Sequence, residues 1–138
     1  MVDTEISQII EEAAGNAYVP YSHFRVGAAL LTNDGQMYKG CNIENASFGL
    51  TNCAERTAIF KAVSEGHRDF EMIVVYGDTE QPISPCGACR QVMAEFFKQD
   101  SKVILIAEDK KVTLVAKDKS TVEMTVGELL PYSFTDLQ

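Results

Sequence analysis

The sequence contains no long apolar run, and no segment approaches the ~18 consecutive apolar residues of a membrane-crossing helix. It has no low-complexity tract, no internal repeat and no linker-like stretch. Its 138 residues therefore read as one domain, 1–138. Basic residues are scarce: 12 Lys and Arg stand against 20 Asp and Glu, a formal net charge of −8. The longest basic run is Lys110-Lys111, with Lys117 and Lys119 following it. Neutralising phosphates takes clustered cations. No nucleic acid is expected as a partner, and an anionic membrane surface and a phosphorylated substrate are disfavoured on the same ground. The opening Met1-Val2-Asp3-Thr4-Glu5 is acidic where a signal peptide is basic, so a cytoplasmic location is expected. Histidine is nearly absent, and His23 and His67 have no metal-ligand spacing between them.

What is present is globular: 46% apolar and 23% charged residues, enough for one proper core. Val2, Ile6, Ile9, Ile10, Ala13, Ala14 and Ala17 recur at helical spacing and predict an amphipathic helix, closed off by Pro20. Residues 24–31 and 36–41 read as strands. Asn33-Asp34-Gly35 joins them as a hairpin turn in which Asn and Gly both tolerate positive φ. Residues 42–52 read as a loop. A helix over 53–65 is expected next, capped by Thr51 or Asn52 and stopped by Gly66. A buried strand follows over 70–76, then a loop to Pro85 and a helix over 86–98. Strands are expected at 103–107, 111–116 and 121–126, with a short helical turn at 127–130. The hairpin implies antiparallel pairing, and the β-α-β segments imply parallel crossovers. The expected fold class is α/β, a three-layer α-β-α sandwich around a mixed sheet of about five strands.

Four cysteines, Cys41, Cys53, Cys86 and Cys89, in a chain expected in a reducing compartment suggest metal ligation or catalysis before disulfides. Two predicted helix starts carry them: Cys53-Ala54-Glu55-Arg56 and Pro85-Cys86-Gly87-Ala88-Cys89-Arg90. A helix N-terminus offers free N–H groups and about half a positive charge, which lowers a thiol's pKa toward the thiolate that binds metal. Cys86 and Cys89, three apart, share one helix face, and Gly87 leaves room for close approach. Cys53 supplies a third thiolate from the other helix. Three protein ligands with one position left for water is the pattern of catalytic Zn2+. Three thiolates give such a site a net charge of −1, which the two helix ends and Arg56 behind the sulfurs are placed to offset.

Glu55 lies two residues from Cys53, and positions two apart on a regular helix face different ways. Both serve one site only if it lies over the helix end. A carboxylate beside a metal-bound water performs general acid–base work, worth typically ~10²–10⁴-fold. Cys-x-Glu followed by Pro-Cys-x-x-Cys, each opening a helix in a β-α-β context, is the zinc-deaminase signature with cysteine in place of its histidine.

The chain closely resembles the small, homotetrameric class of zinc-dependent cytidine deaminases. The likeness runs from Pro20-Tyr21-Ser22-x-Phe24-x-Val26-Gly27-Ala28-Ala29-Leu30 through Gly40-Cys41-Asn42-Ile43-Glu44-Asn45 and the two cysteine blocks to Glu128-Leu129-Leu130-Pro131. The resemblance implies one Zn2+ per subunit on Cys53, Cys86 and Cys89, with Glu55 shuttling protons. It implies that Asn42 and Glu44 bind the ribose 3′-hydroxyl of a nucleoside substrate and that Phe24 packs against the base. The backbone of Ala54 and Ser84 would read the pyrimidine edge. Phe134 would arrive from a neighbouring subunit, and Ala46 and Phe48 would lie near the 5′-hydroxyl of a neighbour's ligand. Many relatives carry tyrosine where this chain has Phe48, so the phenol that would reach that hydroxyl is missing. Gln91 is placed either to brace Arg56 or simply to occupy its helix.

The expected activity is hydrolytic deamination of cytidine and deoxycytidine in pyrimidine salvage. One alternative is deamination of a related aminonucleoside. Another is a non-catalytic zinc module with Cys41 as fourth ligand. The 11 residues between Cys41 and Cys53 are unlike the two-to-four-residue spacing of such modules, and Cys41 is expected as a small buried hydrophobe.

Overall fold

The structure is a computed structural model that describes residues 4–78, 86–106 and 121–125. Helix α1 (Thr4–Gly15) leads into strands β1 (Val26–Thr32) and β2 (Met37–Cys41). A single 3₁₀ turn (Phe48–Leu50) precedes α2 (Ala54–Ser64) and β3 (Phe70–Gly77). Helix α3 (Gly87–Phe96), β4 (Phe97–Ile106) and β5 (Thr121–Thr125) complete the described elements.

The five strands lie in the order β2-β1-β3-β4-β5. β3 and β4 pair in parallel, and every other neighbouring pair is antiparallel. Both β2 and β3 oppose β1, so they run parallel to one another with α2 as their crossover. The sheet is mixed, as the order of predicted elements required.

Period-two alternation divides the core. Ala28, Leu30, Ile73, Val75, Val103 and Leu105 face α2 and α3, meeting Ala54, Ala58, Ile59, Ala62 and Met93. Ala29, Val74, Tyr76, Ile104 and Ile106 face the other way and meet Ile6, Ile10 and Ala14 of α1. This is the expected three-layer sandwich. At two points the helices come too close for a side chain: a Cβ on Gly27 would meet Ile10 O at 2.4 Å, and one on Gly40 would meet Ala54 O at 2.5 Å.

Several local expectations are corrected. The helix predicted over 86–98 stops at Phe96. Phe97 instead starts β4 opposite Phe70, six residues before the expected strand at 103. Its ring is buried against Phe70 (centroids 5.3 Å apart), so tertiary pairing overrides an apolar periodicity that continued the helix. In the hairpin, only Gly35 takes positive φ (+87°). Gly35 N donates to Thr32 O and Thr32 N to Gln36 O, a three-residue loop that leaves Asn33 in an ordinary conformation. Neither Thr51 nor Asn52 caps α2, because the N-cap is Cys53 itself. Asn52 Nδ2 donates to Thr57 Oγ1 instead. Gly66 does end α2 at φ +100°, with His67 N donating to Ala62 O across the stop. The segment expected as loop over 42–52 carries bridges from Ile43 to Tyr18 and to Asn52. The strand predicted at 111–116 and the turn at 127–130 lie outside the described residues.

Candidate metal centre and its surroundings

Cys53 and Cys86 are the N-cap residues of α2 and α3, and Cys89 lies in the first turn of α3. The small face of α2, Ala54, Ala58 and Ala62, is fully buried and lets the helix settle against β2 where Gly40 has no side chain. That close approach sets the tip of α2 beside the tip of α3. The Cys53 and Cys86 sulfurs lie 3.8 Å apart and those of Cys86 and Cys89 3.3 Å. All three sulfurs lie within 4.8 Å of one another, and they form the one such His/Cys/Asp/Glu group among the described residues. Tetrahedral zinc with Zn–S near 2.3 Å requires sulfur–sulfur edges of about 3.8 Å. The donor set fits a single zinc ion. Cys41 is outside the group, half-buried, its thiol pushed up by burial, so no fourth thiolate comes from it.

The electrostatics support the same reading. Hydrogen bonding from Cys89, then from Arg56 and Cys86, holds the Cys53 thiol down to about 5 against the opposing effect of burial. Cys89, which serves that thiolate and is itself buried, is pushed up. A divalent cation bound by these sulfurs would favour the thiolate form of its ligands. Arg56 Nη2 donates to Cys53 Sγ at 3.3 Å, which places the guanidinium behind the sulfur as expected. Cys86 Sγ also caps α3, accepting from Cys89 N at 3.4 Å.

Glu55 is 4% exposed, in the first turn of α2 over the helix end. It follows Cys53, the N-cap residue, by two positions, so both residues stand at the N-terminal end of α2. Burial pushes this carboxyl up to about 7, with the neighbouring Cys53 thiolate adding to the rise.

Asn42 and Glu44 lie side by side on the stretch after β2, and both turn toward residues 21–26. Asn42 Nδ2 donates to Phe24 O at 2.8 Å while its Oδ1 accepts from Val26 N at 3.0 Å. Those two partners fix the amide's orientation. Glu44 Oε1 accepts from Tyr21 N and Ser22 N, both at 3.1 Å, and Oε2 accepts from the Ser22 hydroxyl. Counting donors and lone pairs leaves one N–H and one Oδ1 lone pair on Asn42 and one acceptor position on Glu44 Oε2. The free N–H and the free carboxylate position together suit a hydroxyl group, which both accepts and donates. Sequence reasoning paired these two residues but missed Ser22, although the Pro20-Tyr21-Ser22 block contained it.

Phe24 is half-buried and packs against the core on the α2/α3 side. Ala54 is fully buried in the first turn of α2, where backbone N–H groups have no carbonyl four residues back. Phe48 is 75% exposed on the 3₁₀ turn, edge-on to Tyr21 at 6.2 Å, and Ala46 is exposed beside it. Gln91 is half-buried on α3. Ser84 and Phe134 lie outside the described residues.

The family model described as the cytidine and deoxycytidylate deaminase zinc-binding region matches residues 1–107. A cytidine deaminase of Halalkalibacterium halodurans is 56% identical over 90% of this chain and 87% of its own length. One from Sporosarcina psychrophila is 52% identical over 95% and 92%. The crystal structure of cytidine deaminase from Burkholderia pseudomallei superposes with a TM-score of 0.84 at 46% identity, covering 97% of this chain and 100% of that one.

Proposed function

The chain belongs to the cytidine and deoxycytidylate deaminase zinc-binding family, and on that premise we propose that it hydrolyses cytidine and deoxycytidine to uridine and deoxyuridine with release of ammonia. The observation that carries this reading is the triangle of sulfurs from two helix tips with a buried carboxyl beside it. Cys53, Cys86 and Cys89 would hold the zinc, which would supply Lewis acidity that makes a water more acidic than in bulk. Glu55 would take the water's proton and pass it to N3 as oxygen adds across the C4–N3 double bond, then carry the proton of the new C4 hydroxyl to the amino group as the C4–N4 bond breaks and the carbonyl forms. Burial raises this carboxyl from the ordinary carboxylate range, and a group that both takes and returns a proton is what general acid–base catalysis requires.

Asn42 and Glu44 use their spare donor and acceptor on one ribose hydroxyl, and Phe24 packs against the base. The backbone of Ala54 and Ser84 reads the pyrimidine edge. A net charge of −8 favours a neutral nucleoside over a nucleotide. Residues 1–138 act as one catalytic domain in a homotetramer in which Phe134, Ala46 and Phe48 complete a neighbour's site. The activity belongs to pyrimidine salvage in the cytoplasm.

The test is an absorbance assay on cytidine, deoxycytidine, cytosine and cytidine monophosphate, with zinc quantified on the same sample. Turnover of the two nucleosides by protein holding one zinc per chain is expected. Zinc-loaded protein inert toward both would refute the assignment, and an active monomer on gel filtration would remove the tetramer.

A further inference from the structure

Phe24 stands outside β1, yet its backbone is held at both ends. Its N–H donates to Ser22 Oγ at 3.0 Å, and its carbonyl accepts from Asn42 Nδ2 at 2.8 Å. Both partners are side chains, so the position of this aromatic residue is set by them rather than by a strand ladder. Between Ser22 and Phe24 lies His23, at φ +57° the one non-glycine residue in the left-handed region among the described residues. That conformation is sparsely populated for a residue with a Cβ and persists where its surroundings over-determine it. Here they do: His23 N donates to Val19 O at 3.0 Å, and the preceding Ser22 is gripped by Glu44 through both its N–H and its hydroxyl.

We propose that Ser22, with the left-handed turn at His23, is a positioning device that fixes Phe24 relative to Glu44. The contact to the base and the contact to the sugar hydroxyl are thereby set as one unit. The Ser22 hydroxyl is the shared element: it donates to Glu44 Oε2 and accepts from Phe24 N–H. A ligand hydroxyl on the remaining Glu44 acceptor position thus meets a carboxylate already oriented by the segment that carries Phe24. Ser22 touches no reacting atom, and its effect falls on substrate binding and not on the chemical step.

This inference rests on the nucleoside deaminase reading for its kinetic consequence, and the experiment separates the two. Ser22→Ala leaves zinc content unchanged, raises KM for cytidine about tenfold, the scale of one hydrogen bond to a charged group, and leaves kcat within about twofold. Ser22→Thr, which keeps the hydroxyl, recovers most of that loss. In a Phe24→Ala background, Ser22→Ala adds little further, because the residue it positions is gone. His23→Val raises KM more than His23→Gly, since glycine takes positive φ freely. Independently of any substrate, the Phe24 amide exchanges faster with deuterium in Ser22→Ala than in wild type. An unchanged KM in an active Ser22→Ala enzyme, or an equal penalty with and without the Phe24 ring, would overturn the proposal. A wild-type protein that exchanges as expected but deaminates no cytidine would instead sink the functional reading.

Discussion

Gly27 and Gly40 lie on adjacent strands, one register step apart, and face opposite sides of the sheet. Each admits a helix backbone to within touching distance of a strand: α1 at Gly27, α2 at Gly40. The packing device is the same, but the consequences differ. On the α1 side the close approach joins two apolar surfaces and brings no residue of the sulfur cluster with it. On the α2 side it also aims a helix N-terminus, so Cys53 and Glu55 stand beside the tip of α3. One face therefore serves stability alone. The other couples stability to the placement of three sulfurs and a carboxyl, which makes the same small change in geometry more damaging there.

The largest effect expected on the α2 side is chemical. Glu55→Gln retains zinc and lowers turnover by at least ~10², read as ammonia release with metal analysis on the same sample. Near wild-type turnover would show that the carboxyl is structural. The paired glycine variants come next. Gly27→Ala and Gly40→Ala both force backbone atoms apart and should each cost on the order of 1–3 kcal/mol in denaturant melts. Only Gly40→Ala should also weaken zinc retention against a chelator, because of the two helices it is α2, and not α1, that carries a ligand, Cys53. Equal zinc retention in both variants would break the comparison.

A smaller effect concerns Glu44, whose carboxyl is held below its usual range first by the Ser22 hydroxyl and then by the backbone N–H groups of Ser22 and Tyr21. A depressed folded value means that the stabilisation is present above the unfolded value of about 4.3 and is lost as pH falls through the folded one. Thermal melts of wild type and Glu44→Gln should differ at pH 7 and converge in acid. The smallest effect is expected where Lys39 of β2 meets Glu12 of α1 at 2.6 Å. This pair is open to solvent, and Glu12→Gln should leave the melt unchanged within error.

Much of the fold was legible because its elements announce themselves locally. The apolar spacing of Ile6, Ile10 and Ala14, the turn ending at Gly35 and the stop at Gly66 each depend on residues a few positions apart. The end of α3 was not legible. Phe96 and Phe97 continue a helical pattern, and only the partner strand, through Phe70, draws Phe97 out of it. The cap of α2 departs from residue type for a related reason. Asn52 is an ordinary capping residue by type, but its amide is taken by Thr57 and the cap falls to Cys53. In the site, Asn42 and Glu44 were identified as a pair, whereas their clamp on residues 21–26 was not. Hydrogen bonds spanning some twenty residues have no signature in sequence spacing.

The sequence by itself determined the donor set: two cysteines three apart at one helix start, and a cysteine and a glutamate two apart at another. Spacing within a helix turn is fixed by backbone geometry, so the chemistry those residues support follows from the chain alone. Only the tertiary structure decided that Cys53 meets Cys86 across 33 residues at 3.8 Å. That distance depends on how closely α2 lies on the sheet, and this is governed by a missing side chain at Gly40 and by Ala54 and Ala58 packed against it. Contacts of that range arise from packing between elements, which no local pattern encodes.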